Sequence, residues 1–319
     1  MIKRKTDRRG KRGFLVVIAV LITFVFVAGL LCYMQNRTFE VTFYSFNSPK
    51  TEERIRIVDL SDLHNWTFGE ENRDLVNRIR ELSPDLITIT GDMVMKSDSD
   101  ISVAVSLCRQ LVEIAPVFYT FGNHENELVF GDNLSGEFLK KQENLLGLRE
   151  DGSLDLTKAE MKDSSLLDSL TQLGVVVLND STASVNVKGH DIDLAGIAVP
   201  SGYYFPYANR MVENMIKTNP ERIKILLNHY PSLFKVTVPV QDWLQYDVAF
   251  CGHVHGGIVR LPGLGGVFYG GWGPPWFQGY DSGMVENEQG RVVISRGLGN
   301  SHIVPRINNP PELIVMDIY

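Results

Sequence analysis

The chain has 319 residues, 44% hydrophobic, 22% charged and 10% aromatic, fractions that belong to a folded globular protein and exclude a disordered or low-complexity polymer. Its net charge of −7 is unevenly spread, because residues 1–12 carry seven Lys or Arg against one Asp and leave −13 on the remainder. So acidic a body repels phosphate backbones, and no nucleic-acid partner is expected.

The first element is an apolar run from Phe14 to Met34, twenty-one residues without a charge. As a helix it is about 32 Å long, enough to cross a hydrocarbon core of about 30 Å. A cleavable signal peptide has a shorter apolar region of about 7–15 residues and a small-x-small site, and no good site follows here. The basic flank places residues 1–12 in the cytoplasm by the positive-inside rule. Residues 13–34 are therefore expected to be a signal anchor, single-pass in the cell membrane, with an extracytoplasmic body. Residues 35–53 read as a polar stalk with strand-like patches at Phe39–Phe43.

From there the pattern alternates. Arg54–Leu60 reads as a strand, Asn72–Leu82 as an amphipathic helix and Leu86–Thr90 as a buried strand; Ile101–Ile114 is helical and Pro116–Thr120 is again a strand. Strands separated by helical patterns predict an α/β architecture with helices covering a sheet. Residues 126–170 interrupt this rhythm with a polar, helix-prone insertion, either a surface excursion or a flap over a site. Further strands are expected at Val175–Leu178, Val185–Val187, Ile192–Ala195, Ile223–Leu227, Asp247–Cys251, Val292–Ser295 and Leu313–Ile318. Several are joined by short Gly or Asn connections, which predicts a second sheet with antiparallel pairs. Residues 54–319 read as one domain. Three widely spaced cysteines, Cys32, Cys108 and Cys251, give no disulfide framework.

The chemistry collects where apolar strands end. Asp62 and His64 close one strand, Gly91 and Asp92 the next, and Gly122-Asn123-His124-Glu125 a third; Asn228-His229 and Gly252-His253-Val254-His255 close two more. In open α/β sheets such ends line the functional crevice. Imidazoles and carboxylates without a thiolate suit Mn, Fe, Zn or Co. Alternate residues on extended backbone share a face, so Asp62 with His64, and His253 with His255, can converge. The set exceeds one tetrahedral site, whereas two metals sharing a carboxylate would use it. Metals about 3.5–4 Å apart can hold a bridging hydroxide as nucleophile against a phosphoryl group.

In order and in type these motifs resemble those of the calcineurin-like metallophosphoesterases. Ser61–Asn65, Gly252–Pro262 and Ser295–Pro311 are most similar to the membrane-associated bacterial YkuE-like branch. The resemblance covers residues 54–319 and implies a two-sheet β-sandwich flanked by helices. It also implies a metal-dependent phosphoric ester hydrolase, a phosphodiesterase by preference, with two divalent metal ions as cofactors. Asp62, His64, Asp92 and His255 would hold one ion. Asp92, Asn123, His229 and His253 would hold the other, with His124 on the phosphate as the acid for the leaving oxygen. In some relatives an acidic residue partners that histidine where Met95 stands here; either Glu125 takes its place or His124 lacks a carboxylate partner. The anchor points to a lipid-linked or cell-envelope phosphoester. Two alternatives stay open: a pyrophosphatase acting on a nucleotide-linked lipid, and a non-catalytic envelope protein that binds metal or phosphate.

Outside these motifs, residues 264–280 hold Trp272, Trp276 and four other aromatics in a Gly/Pro-rich loop, which either lips the site or packs inward. Arg296 and Arg306 are structural or clamp a phosphate. His190 and His302 have no paired ligand nearby and are left outside the site.

Overall fold

Two six-stranded sheets packed face to face carry the molecule. A computed structural model describes residues 3–95, 100–131, 161–197, 215, 219–235, 246–267, 280–287, 290–300 and 304–319. The middle of the 126–170 insertion, His302 and most of the 264–280 aromatic loop lie outside the described residues.

The chain begins with α1 (Lys3–Gln35), whose segment Gly13–Gln35 has a mean hydropathy of 3.1 and is not buried against the body. It is a candidate membrane span. Then come β1 (Glu40–Phe46), β2 (Ile55–Leu60), α2 (Arg73–Leu82), β3 (Leu86–Ile89), α3 (Ser102–Leu111), β4 (Val117–Tyr119) and α4 (Asn123–Phe130). After α5 (Ser165–Gln172), the strand β5 (Val176–Val177) and, much later in the chain, β14 (Glu312–Ile318) complete a sheet in the order β1-β14-β2-β3-β4-β5. The second sheet is built from β6 (Ser181–Val187), β7 (His190–Ile197), β8 (Ile223–Asn228), β9 (Val248–Cys251), β12 (Gly283–Asn287) and β13 (Gly290–Ile294), in the order β12-β13-β9-β8-β7-β6. A small hairpin pairs β10 (Arg260–Leu261) with β11 (Gly265–Gly266), and β14 (Glu312–Ile318) returns to the first sheet.

Alternation along the strands sorts side chains into two cores. Ile57, Leu86, Ile314 and Met316 point toward the second sheet and pack with Ile192, Ile225, Val248 and Phe250. Their neighbours Val58, Ile87, Leu313 and Val315 point the other way, under Leu75 and Ile79 of α2, Leu107 and Leu111 of α3, and Leu166 and Leu170 of α5. The sheets are mixed: β2 through β5 and β7 through β9 with β13 run parallel, while antiparallel pairs join β14 to β2, β6 to β7 and β12 to β13. The α/β expectation with two sheets flanked by helices is met.

One expectation is corrected. The segment read as a stalk contains β1, which pairs in parallel with β14 from Glu40↔Glu312 to Phe46↔Ile318. Its half-exposed alternation is that of an edge strand, so the body begins directly after α1. The three cysteines are free.

Candidate metal centre

Parallel pairing brings the ends of β2, β3 and β4 level, since Leu60 lies opposite Ile89 and Ile89 opposite Tyr119. Leu227 opposite Phe250 does the same for β8 and β9. The chain leaves these five ends carrying Asp62 and His64, Asp92, Asn123 and His124, His229, and His253 with His255. Backbone bonds tie the exits together: Asp62 N donates to Gly91 O at 2.9 Å, His64 N to Asp92 O at 3.0 Å and Gly252 N to His229 O at 3.1 Å. His253 N donates to Asp62 Oδ2 at 3.0 Å and so links the two sheets.

All eight residues expected at the site meet there. Three groups have ligand atoms within 4.8 Å of one another: Asp62 with His64 and His255, His64 with Asp92 and His124, and Asp92 with His229 and His253. His64 Nε2 stands 3.1 Å from His255 Nε2, and His229 Nε2 stands 3.2 Å from His253 Nδ1 and 3.1 Å from Asp92 Oδ2. Asn123 Oδ1 lies 3.1 Å from His253 Nδ1. His124 Nε2 is 3.8 Å from Asp92 Oδ2, its ring edge-on to His64. Apart from Asn123, which is half-buried, and His253, which is exposed, these residues are buried.

The backbone is bent to achieve this. Asp62, His64, Asp92, His253 and His255 have φ of 53°, 49°, 56°, 72° and 50°, in the left-handed region that side chains other than glycine's seldom occupy. Strain of that kind persists where the surroundings over-determine it, as at functional sites. Gly252 makes room: a Cβ there would overlap Ser61 Oγ and the Asp62 carboxylate.

Donor chemistry and spacing fit divalent ions. Two nitrogens held about 2.0–2.1 Å from one ion stand roughly 2.8–3.4 Å apart for angles near 90–110°, and the two imidazole pairs match that separation. Without an ion, neutral ring nitrogens this close share one hydrogen at most. Burial alone would raise Asp62 and Asp92, but the surrounding imidazoles, His255 and His229 foremost, outweigh it and hold both carboxyls well below the usual carboxylate range. Burial lowers His255, and lowers His124 to about 4. It would lower His229 too, yet Asp92 and Asp62 override it and lift that ring to about 9. Two buried carboxylates amid mostly neutral imidazoles form a pocket that favours a cation.

The surrounding residues are partly unexpected. Glu125 is not the partner of His124. Its carboxylate accepts from the backbone N–H of Asp92 (2.8 Å), Met93 (2.6 Å) and Gly122 (2.9 Å) and from Tyr119 Oη (2.7 Å). It is the brace of the β3 and β4 exits. Arg306 is fully buried behind His255; Nε donates to Gly299 O at 2.8 Å, and Nη2 donates to Gly297 O and Gly299 O and lies 3.1 Å from His255 Nδ1. Asn309 Nδ2 donates to His255 O at 2.7 Å. Arg296 is taken by Glu312 and Glu40. Both arginines are thus structural. His190 opens β7, paired with Val187 across the β6–β7 hairpin.

A model of the family described as calcineurin-like phosphoesterase matches residues 55–257, a stretch that includes every one of these strand ends. Among curated relatives, the uncharacterized metallophosphoesterase YkuE of Bacillus subtilis is 23% identical over 91% of this chain and 89% of its own length. The phosphodiesterase YaeI of Escherichia coli is 23% identical over 97% of this chain and 98% of its own. The UDP-2,3-diacylglucosamine pyrophosphatase LpxG of Chlamydia trachomatis is 23% identical over 89% and 90%.

Proposed function

We infer, for a chain that belongs to the calcineurin-like phosphoesterase family and so is a metal-dependent phosphoester hydrolase, that it is a membrane-anchored phosphodiesterase with a two-ion centre. The observation that carries this reading is the sharing of Asp92 between two groups of converging ligand atoms. In it, Asp62, His64, Asp92 and His255 hold one divalent ion, and Asp92, Asn123, His229 and His253 hold the second. Mn, Fe and Zn all suit that donor set. Bound there, such a pair supplies positive charge for the phosphoryl oxygens and lowers the pKa of water enough for attack near neutral pH.

The chain's own residues do the rest. Asn123 contributes a neutral oxygen, which leaves that ion more charge for the substrate than a carboxylate would. His124 converges with His64 and Asp92, its Nε2 3.8 Å from Asp92 Oδ2, and in this reading donates its N–H to the leaving oxygen. Glu125 fixes the loop that aims both residues. Exposed His253 marks the open side from which substrate enters. The basic residues in the first turns of α1, ahead of its apolar span, support a cytoplasmic N-terminus and an extracytoplasmic body, which favours a lipid-linked or cell-envelope phosphoester.

Purified full chain is assayed on bis-p-nitrophenyl phosphate and p-nitrophenyl phosphate with Mn²⁺ and with chelator. Turnover that needs metal, prefers the diester and falls at least a hundredfold in both Asn123→Ala and His229→Ala is the expected result. Turnover that survives both substitutions would remove the two-ion reading. The pyrophosphatase name of one relative supports a second substrate class, a lipid-linked pyrophosphate; release of a nucleoside monophosphate from such a compound would select it.

A further inference from the structure

Of the seven large apolar side chains exposed outside α1 among the described residues, four lie together: Leu261, Leu264, Val304 and Ile307. They occupy two segments that touch. Ile307 N donates to Ile258 O at 3.1 Å and Arg260 N to Ile307 O at 3.0 Å, while Asn308 Nδ2 donates to Arg260 O at 3.2 Å. Leu264, at the turn of the β10–β11 hairpin, is 64% exposed. Isolated apolar residues on a surface need no explanation, but a cluster does.

The cluster adjoins the membrane helix. Asn36 Nδ2 donates to Arg306 O at 3.0 Å, Arg306 N donates to Asn36 Oδ1 at 3.2 Å, and Cys32 Sγ reaches the same carbonyl at 3.3 Å. Cys32 lies inside the apolar span Gly13–Gln35, so the 304–307 segment meets the last turn of the span rather than standing above it. A cavity of about 410 Å³ opens between them, bounded by Gly29, Cys32 and Tyr33 on the helix and by Trp66, Leu298 and Pro305 on the body. Gly29 sits six residues before Gln35, about 9 Å deeper along the helix axis. Beside the cavity the Arg37 guanidinium lies 5.3 Å from the Tyr33 ring and 5.2 Å from the Trp66 ring. Aromatic rings and arginines of this kind gather at the level of lipid headgroups.

We infer that Leu261, Leu264, Val304 and Ile307 form a ledge seated in the lipid interface, so that the body rests on the bilayer instead of being held off it. The occupant is a phospholipid surface, because the ledge continues the lipid-facing surface of α1 and the aromatic–arginine group marks the headgroup level. Arg260, where the hairpin starts, donates to Gly256 O at 2.6 Å, next to the ligand His255. Seating the ledge therefore holds one wall of the metal centre beside the headgroups. None of this uses the catalytic reading; an inactive chain seats in the same way.

The test places an NBD fluorophore on single cysteines, Leu264→Cys, Ile307→Cys or Val304→Cys, in the full chain carrying Cys32→Ser. The remaining cysteines, Cys108 and Cys251, are buried. Val176→Cys is the control, exposed at the far edge of the first sheet. Each protein is reconstituted in phosphatidylcholine–phosphatidylglycerol vesicles with and without a doxyl-labelled phospholipid. Blue-shifted emission, quenched at least twofold by doxyl lipid at the ledge positions and not at 176, is expected. Equal, unquenched emission at all positions overturns the inference. A blue shift without quenching also overturns it, because the ledge is then covered by protein, such as a second copy of the chain.

Discussion

At Gly252 there is space for a hydrogen and nothing larger, since Ser61 and the Asp62 carboxylate fill the position a Cβ would take. Gly252→Ala is expected to push Asp62 away and weaken metal affinity at least tenfold, about 1.4 kcal/mol. Overpacking would add a loss of stability of about 1–3 kcal/mol. Metal titration and a denaturant midpoint check the two effects, and unchanged affinity would mean that Asp62 is dispensable. Arg306 makes a different prediction. Removing its side chain leaves the carbonyl of Gly299 buried without a donor, at about 1–3 kcal/mol, while Gly297 O keeps the Glu312 N–H at 3.0 Å, so Arg306→Met should lower the unfolding midpoint even in chelator. At this scale the sequence was legible for the candidate ligands, because His, Asp and Asn at the ends of apolar strands have few other uses in such number. It singled out Glu125 and Arg306 without finding what they hold, and was silent on Asn309. Their partners are backbone groups brought close by folding, and no spacing along the chain announces them.

Among the elements, the second sheet contains a buried ion pair. Lys224 on β8 and Asp193 on β7 are both nearly inaccessible and in direct contact, with Ser184 of β6 and Arg222 also on the Asp193 carboxylate. Burial pulls Asp193 upward, but these partners, Lys224 first, prevail and hold it below the usual carboxylate range. A carboxyl lowered in the folded state contributes stability that is present above its unfolded pKa and lost as pH falls through the folded one. Urea midpoints followed downward from pH 7 should therefore drop below about pH 4, with a flatter acid limb in Asp193→Asn. At pH 7 that variant should be less stable by about 3–5 kcal/mol, for it strands a buried Lys. Parallel acid limbs would remove the argument. Strands such as Leu86–Ile89 and Val248–Cys251 were readable because a strand buried on both faces is an unbroken apolar run. The edge strand β1 showed only as a strand-like patch at Phe39–Phe43, without its place in the sheet. Its alternation is half polar, and its partner lies some 270 residues later, beyond any local pattern.

For the molecule as a whole, the candidate ligands divide between the sheets: Asp62, His64, Asp92 and Asn123 leave the first, His229, His253 and His255 the second. In the proposed assignment each ion takes ligands from both and clamps one sheet to the other. Chelation should lower the melting temperature while the apolar core shared by the two sheets keeps the body folded. An ion present at a hundred times its Kd contributes about 2.7 kcal/mol, a shift of several degrees in scanning calorimetry; identical melts with and without chelator would contradict the clamp. The α/β class was legible from strand–helix alternation, and a second sheet with antiparallel pairs from the short Gly and Asn connections, while the division of the ligands between the two sheets was not. The same division has a consequence for how the protein is made. Synthesis delivers the early ligands first, and roughly ten to forty seconds pass at ordinary elongation rates before β14 emerges to fill the gap between β1 and β2. Until then the first sheet is split down its length and its exits face no partners. A nascent chain is thus a poor thief of metal, loading waits for the completed body, and the ions it receives are those of the compartment in which it finishes folding.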